Sequence, residues 1–127
     1  MKRSLAILTL WTMALLGLLL APIGETQIPS PLGFKHFDKV AHFGLFFITG
    51  LISVLGARFL SQFRSRMLFG IIFSLVLAVG TEFAQSFLPV RNMSFYDLLA
   101  DIAGLVVALA LCIFIYRQAY LSTFFKL

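Results

Sequence analysis

Apolar residues gather along this chain in four long runs, roughly Leu5 to Ala21, Val40 to Leu60, Leu68 to Leu88 and Phe95 to Tyr116, parted by short polar segments. Each run approaches the roughly 20 residues that an α-helix needs to cross the hydrocarbon core of a bilayer. The pattern predicts an all-α integral membrane bundle of four transmembrane helices. Its connections are short, no repeat or low-complexity tract appears, and nothing outside the runs is long enough for a second folding unit. Residues 1–127 therefore read as a single membrane domain, with residues 1–22 carrying the first transmembrane helix.

That first run follows Lys2 and Arg3, which also admits a signal peptide. It exceeds the about 7 to 15 apolar residues of such a peptide. Leu19 and Ala21 followed by Pro22 make a poor cleavage site, so a retained helix is expected.

Composition strengthens the membrane reading, since 61% hydrophobic residues is more than a soluble core needs. Charge then gives orientation, because short cytoplasmic loops retain Lys and Arg. Lys2, Arg3, Arg58, Arg64, Arg66, Arg117 and Lys126 fall on one side, Lys35, Lys39 and Arg91 on the other. This asymmetry puts both termini in the cytoplasm. The acids sort the opposite way, with Glu25, Asp38, Glu82, Asp97 and Asp101 all in outer loops or outer halves of helices. The net charge of +5 thus follows topology and attraction to anionic inner-leaflet lipids. Membrane lipids are the implied partners, and no nucleic-acid motif accompanies the basic residues.

Ionisable groups inside apolar spans are expensive, about 2.5 to 3.5 kcal/mol at a helix centre on insertion scales, so they mark candidate function. Glu82 lies six residues before Leu88, about 9 Å below the outer membrane surface, and Asp101 seven residues past Ser94, about 10 Å deep. The short Pro89 to Met93 connection makes their helices antiparallel neighbours, setting Glu82 and Gln85 opposite Asp97 and Asp101. The second helix enters from the same side with His42 one turn below Asp38. Lys39 and Arg91 are the available cations, and Arg91 is expected to contact at least one of Glu82, Asp97 and Asp101.

Each residue also has a plain structural reading. Ser94-x-x-Asp97 is close to a capping box, and Asp38 equally suits the start of a helix. His42 reads either as a packed polar residue or as a proton carrier. Glu82 and Asp101 have no local capping duty, which favours function or an ion-pair lock with Arg91. Cys112 is the single cysteine, mid-span, and reads as packing. Phe43, Phe46 and Phe47 suit lipid-facing and interhelical packing. Gly44, Gly50, Gly70, Gly80, Gly104, Ala84, Ala103 and Ala108 are small residues expected where helices approach closely. Arg58, Arg64, Arg66 and Arg117 are expected to snorkel to inner headgroups. No His/Cys set has ligand spacing and no glycine-rich phosphate loop occurs, so neither metal nor cofactor is expected.

Asp38-Lys39 with His42, then Glu82-x-x-Gln85, Pro89-x-Arg91, Ser94-x-x-Asp97 and Gly104 together resemble the VanZ-like family of small bacterial membrane proteins, over about residues 37–108. Asp101 stands where that family often has asparagine, Ala108 where it has glycine and Phe46 where it has tyrosine. The resemblance implies a bacterial inner-membrane protein that lowers susceptibility to the glycopeptide antibiotic teicoplanin, and supplies no catalytic residue.

Residues and resemblance together point to an outer-leaflet binding or envelope-interaction protein. Its polar pocket comprises Asp38, Lys39, His42, Glu82, Gln85, Arg91, Ser94, Asp97 and Asp101, beside a loop from Pro22 to Phe37 in which Ile28, Leu32, Phe34 and Phe37 would form a lid. Its ligand would be an amphiphile, a lipid-linked envelope precursor or a lipoglycopeptide. Two rivals remain: an intramembrane enzyme with His42 or Glu82 as general base and Arg91 steadying an anion, and a small transporter in which Glu82 and Asp101 exchange protons.

Overall fold

The computed structural model describes residues 2–21, 37–89 and 94–124 of the 127-residue chain. Among these the chain forms four helices, α1 (Lys2–Leu19), α2 (Phe37–Gly56), α3 (Phe63–Gln85) and α4 (Phe95–Phe124), and no strand. All four are long and apolar enough to cross a membrane, so this is a multi-pass membrane protein.

The helix ends differ from the apolar runs for a physical reason. Hydropathy marks where side chains meet hydrocarbon, whereas backbone hydrogen bonding continues through charged residues. So α2 starts at Phe37 and takes in Asp38 and Lys39, and α3 starts at Phe63 and takes in Arg64 and Arg66. Beyond Gly56 and Gln85 the chain passes into turns, short of the expected Leu60 and Leu88. The largest difference is α4, which runs on past Tyr116 to Phe124. Its 30 residues span about 45 Å at 1.5 Å per residue, against a hydrocarbon core of about 30 Å.

Large apolar side chains point outward: Leu10, Met13, Val76 and Val106 are each more than half exposed. In lipid such exposure is solvation, and much of what lies inside is small or polar, beside a few large apolar residues. On α2 the buried stripe is His42, Phe46, Thr49, Gly50, Ser53 and Val54, and on α3 it is Gly70, Ser74, Ala78, Thr81, Glu82 and Gln85. Leu15, Leu19, Phe46 and Ala78 form the apolar core cluster. Thr49, Ser53 and Thr81 return their hydroxyl protons to carbonyls one turn back, which satisfies them within their own helices.

α2 is the central helix. It packs most extensively on α4, next on α3, then on α1. A Cβ on Gly104 would collide with the Phe43 carbonyl, and one on Gly50 would come within 2.7 Å of the Ala108 Cβ, so α2 and α4 meet almost backbone to backbone. Gly70 leaves room for Val54 of α2, and Trp11 of α1 donates to the Thr49 hydroxyl at 2.9 Å. Not every small residue has this role: Gly44 and Gly80 face open space and Ala103 is exposed.

Gly56 lies beside the Ser4 carbonyl, and Phe63 stacks on Tyr116 with ring centroids 3.9 Å apart. The starts of α1 and α3 thus share one end of the bundle with the ends of α2 and α4. Arg58 and Arg64 are exposed there, while Arg66 donates through Nε to the Leu60 carbonyl at 2.7 Å, fastening the α2–α3 turn where headgroup contact was expected. The opposite end carries Asp38, Glu82, Asp97 and Asp101, the acids among the described residues.

Candidate functional site

α2 and α4 both begin at this acidic end, and α3 finishes there. Lys39, in the first turn of α2, extends its ammonium between two carboxylates, 2.9 Å from Asp38 Oδ2 and 3.0 Å from Asp97 Oδ1. Its side chain is 32% exposed and that of Asp97 only 6%, so this layer is where the site meets its surroundings.

One turn further along α2, His42 faces inward. Its Nδ1 lies 2.9 Å from Asp101 Oδ1 of α4 and 3.9 Å from Glu82 Oε1 of α3. All three residues are buried, at 3%, 0% and 0% exposure. The close packing at Gly104, three residues beyond Asp101, draws α4 near enough to α2 for the histidine to reach the aspartate.

Ser94 immediately precedes α4, and its hydroxyl accepts from the Asp97 N–H at 3.4 Å. In a capping box the acid three residues on would reach back to the serine N–H. Here Asp97 turns to Lys39, and the Ser94 N–H instead donates to Glu82 Oε2 at 3.0 Å. Glu82 therefore has a capping role after all, across space and for another helix. Ser94 lies 12 positions from Glu82, too far along the chain for a local cap.

Gln85 departs from the expected pocket. Its Nε2 donates to the Leu19 carbonyl at 2.8 Å, satisfying a free carbonyl at the end of α1 and tying α1 to α3. Arg91 and the lid residues Ile28, Leu32 and Phe34 lie outside the described residues, while Phe37 is the first residue of α2. Cys112 is buried and free, as packing requires.

Asp38, Lys39, His42, Glu82, Ser94, Asp97 and Asp101 thus converge, and Lys39 bridging to Asp97 is the link that spacing did not reveal. Two buried oxygens in the inner layer, Glu82 Oε1 and Asp101 Oδ2, have no hydrogen-bond partner among the described residues. Orphaned carboxylate oxygens are costly in a low-dielectric interior and call for a proton, a cation or a ligand donor. Ligand atoms of His42, Glu82 and Asp101 all lie within 4.8 Å of one another, so a single ion would touch all three. The same arrangement can hold and pass a proton between an imidazole and two carboxylates.

No family model matches the chain, and no solved structure matches it. It is similar to an uncharacterised protein of the fission yeast Schizosaccharomyces pombe, with 33% identity over 81 residues. The alignment covers 64% of this chain and 49% of that protein, so the chain spans about half the length of the curated relative it matches.

Proposed function

We propose that this membrane protein binds the charged headgroup of an amphiphile at the acidic end of its bundle, in the outer leaflet. The observation that carries this reading is Lys39, partly exposed and held between Asp38 and Asp97 directly above the buried His42, Glu82 and Asp101. A cation ringed by acids presents both signs of charge within one small area, which suits a headgroup bearing both, and the apolar helix faces beside it accommodate acyl chains. The outward orientation rests on the seven-to-three asymmetry of basic residues. The VanZ-like resemblance supports a bacterial inner membrane and, as ligand, a lipid-linked envelope precursor or a teicoplanin-like lipoglycopeptide. Similarity to a yeast protein favours the chemistry shared by these with ordinary phospholipids, a headgroup on an apolar tail.

The test is retention of defined amphiphiles by the purified protein in native mass spectrometry, with phosphatidylethanolamine and teicoplanin as probes. Wild-type protein should retain at least one through detergent exchange and Lys39→Gln should not. Equal retention by both would remove the basis for the reading. A second reading, intramembrane acid–base catalysis, is favoured by the 2.9 Å His42–Asp101 pair beside an unpartnered Glu82 oxygen. It requires that a bound amphiphile be chemically altered, which the same spectra would register as a mass change.

A further inference from the structure

We infer that His42, Glu82 and Asp101 form a binding site for one divalent transition-metal cation, with zinc the best match. This goes beyond headgroup binding and stands whether or not an amphiphile is bound, because its ligands lie in the buried layer below Lys39.

Geometry is the first argument. One histidine nitrogen and one oxygen from each carboxylate lie within 4.8 Å of one another, each brought by a different helix. Ligands bonded at about 2.0 to 2.2 Å to a tetrahedral ion sit about 3.3 to 3.6 Å apart. The observed 2.9 Å between His42 Nδ1 and Asp101 Oδ1 and 3.9 Å between His42 Nδ1 and Glu82 Oε1 straddle that spacing. Adjustments of a few tenths of an ångström bring both histidine edges into range, and the Glu82–Asp101 edge, within 4.8 Å, closes with a shift of at most about 1.2 Å.

The second argument is independent of the clustering. Glu82 Oε1 and Asp101 Oδ2 are buried carboxylate oxygens with no hydrogen-bond partner among the described residues, and Glu82 Oε1 faces the imidazole. Glu82 already has its other oxygen engaged, since Oε2 takes the Ser94 N–H, whereas Asp101 Oδ1 meets His42 and is itself one of the ligand atoms. Anchoring one oxygen and leaving the second free is how an outer contact orients a metal-binding carboxylate. Lys39 does not neutralise this layer, since its ammonium is shared by Asp38 and Asp97.

The donor set selects the metal. A nitrogen with two carboxylate oxygens is poorer in oxygen than Ca²⁺ requires and suits Zn²⁺ or a neighbouring first-row ion. Three protein ligands leave a fourth position for a further ligand, the arrangement of a reactive or ligand-accepting ion rather than a closed structural one. On binding, the cation takes the place of the proton between His42 and Asp101, and that proton leaves to solvent. No electron moves.

The experiment uses the full-length protein in detergent micelles or nanodiscs, stripped with a chelator and titrated with Zn²⁺ alone while bound metal and thermal unfolding are followed. Saturation at one equivalent per chain with a raised unfolding temperature is expected. Glu82→Gln and Asp101→Asn keep shape and hydrogen bonding, so they should fold, yet each should weaken binding about tenfold or more. Ser74→Ala, outside the site, should bind as wild type does. Cu²⁺ as a spin probe should show coupling to a single imidazole nitrogen, lost in His42→Gln. Absence of saturable Zn²⁺ binding by the wild type would overturn the site, as would undiminished binding by both carboxylate variants.

Discussion

Glu82 Oε2 accepts the backbone N–H of Ser94 at 3.0 Å, so the residue that leads into one helix is held by a side chain near the end of the previous one. The bond closes the α3–α4 hairpin and holds the glutamate so that its other oxygen faces His42. Structure and chemistry are thus joined in one carboxyl group, and substitution can separate them.

Glu82→Gln retains a carbonyl oxygen for the Ser94 N–H and should keep the fold. Glu82→Ala loses that acceptor and leaves space in a tightly packed end, at a stability cost of about 1 to 3 kcal/mol. Thermal unfolding of the two variants in the same detergent should rank glutamine well above alanine. Equal losses would mean that the cap contributes nothing.

Lys39 should be replaceable by arginine at modest cost and by methionine at a larger one. Methionine preserves apolar bulk but leaves Asp38 and buried Asp97 facing each other without a cation. Hydrogen bonds to charged groups contribute about 1.5 to 3 kcal/mol, and partial exposure of Lys39 places the loss at the lower end. Asp97→Asn in the Lys39→Met background should recover part of it, and a denaturation series on the single and double variants measures the coupling.

Two glycines should respond oppositely to alanine. At Gly104 a methyl group would strike the Phe43 carbonyl, and forcing helices apart typically costs about 1 to 3 kcal/mol. At Gly80 a methyl group meets nothing within 4 Å, so Gly80→Ala should be neutral or stabilising by up to about 1 kcal/mol through helix propensity. Unfolding temperatures of the two variants read this directly, and similar behaviour would contradict the packing at Gly104.

The proposed orientation predicts that reporter fusions read cytoplasmic at the C-terminus and external near Pro29, following the asymmetry of the basic residues. The reverse pattern would turn the acidic end toward the cytoplasm and remove the basis for an outer-leaflet ligand.

The existence of four membrane helices was legible in the chain because twenty-residue apolar runs have few other uses in a folded protein. Their ends were not: Asp38, Lys39, Arg64 and Arg66 are helical although charged, and hydropathy does not measure hydrogen bonding. The convergence of Glu82 and Asp101 was legible because a short hairpin fixes antiparallel depth. Which way Gln85 turns was not, since reaching the Leu19 carbonyl depends on how α1 docks, and spacing along one chain segment carries no information about docking. The Lys39–Asp97 bridge escaped for the same reason, joining residues 58 positions apart.

Placing α2 at the centre has a consequence in time. Its largest partner, α4, is made after the other three helices, and His42 precedes Asp101 by 59 residues. At about 5 to 20 residues per second the histidine waits roughly 3 to 12 seconds in a half-built protein before its aspartate arrives. During that interval a polar side chain sits on a helix with no closed bundle around it, which gives the insertion machinery reason to hold α1 to α3 until α4 follows.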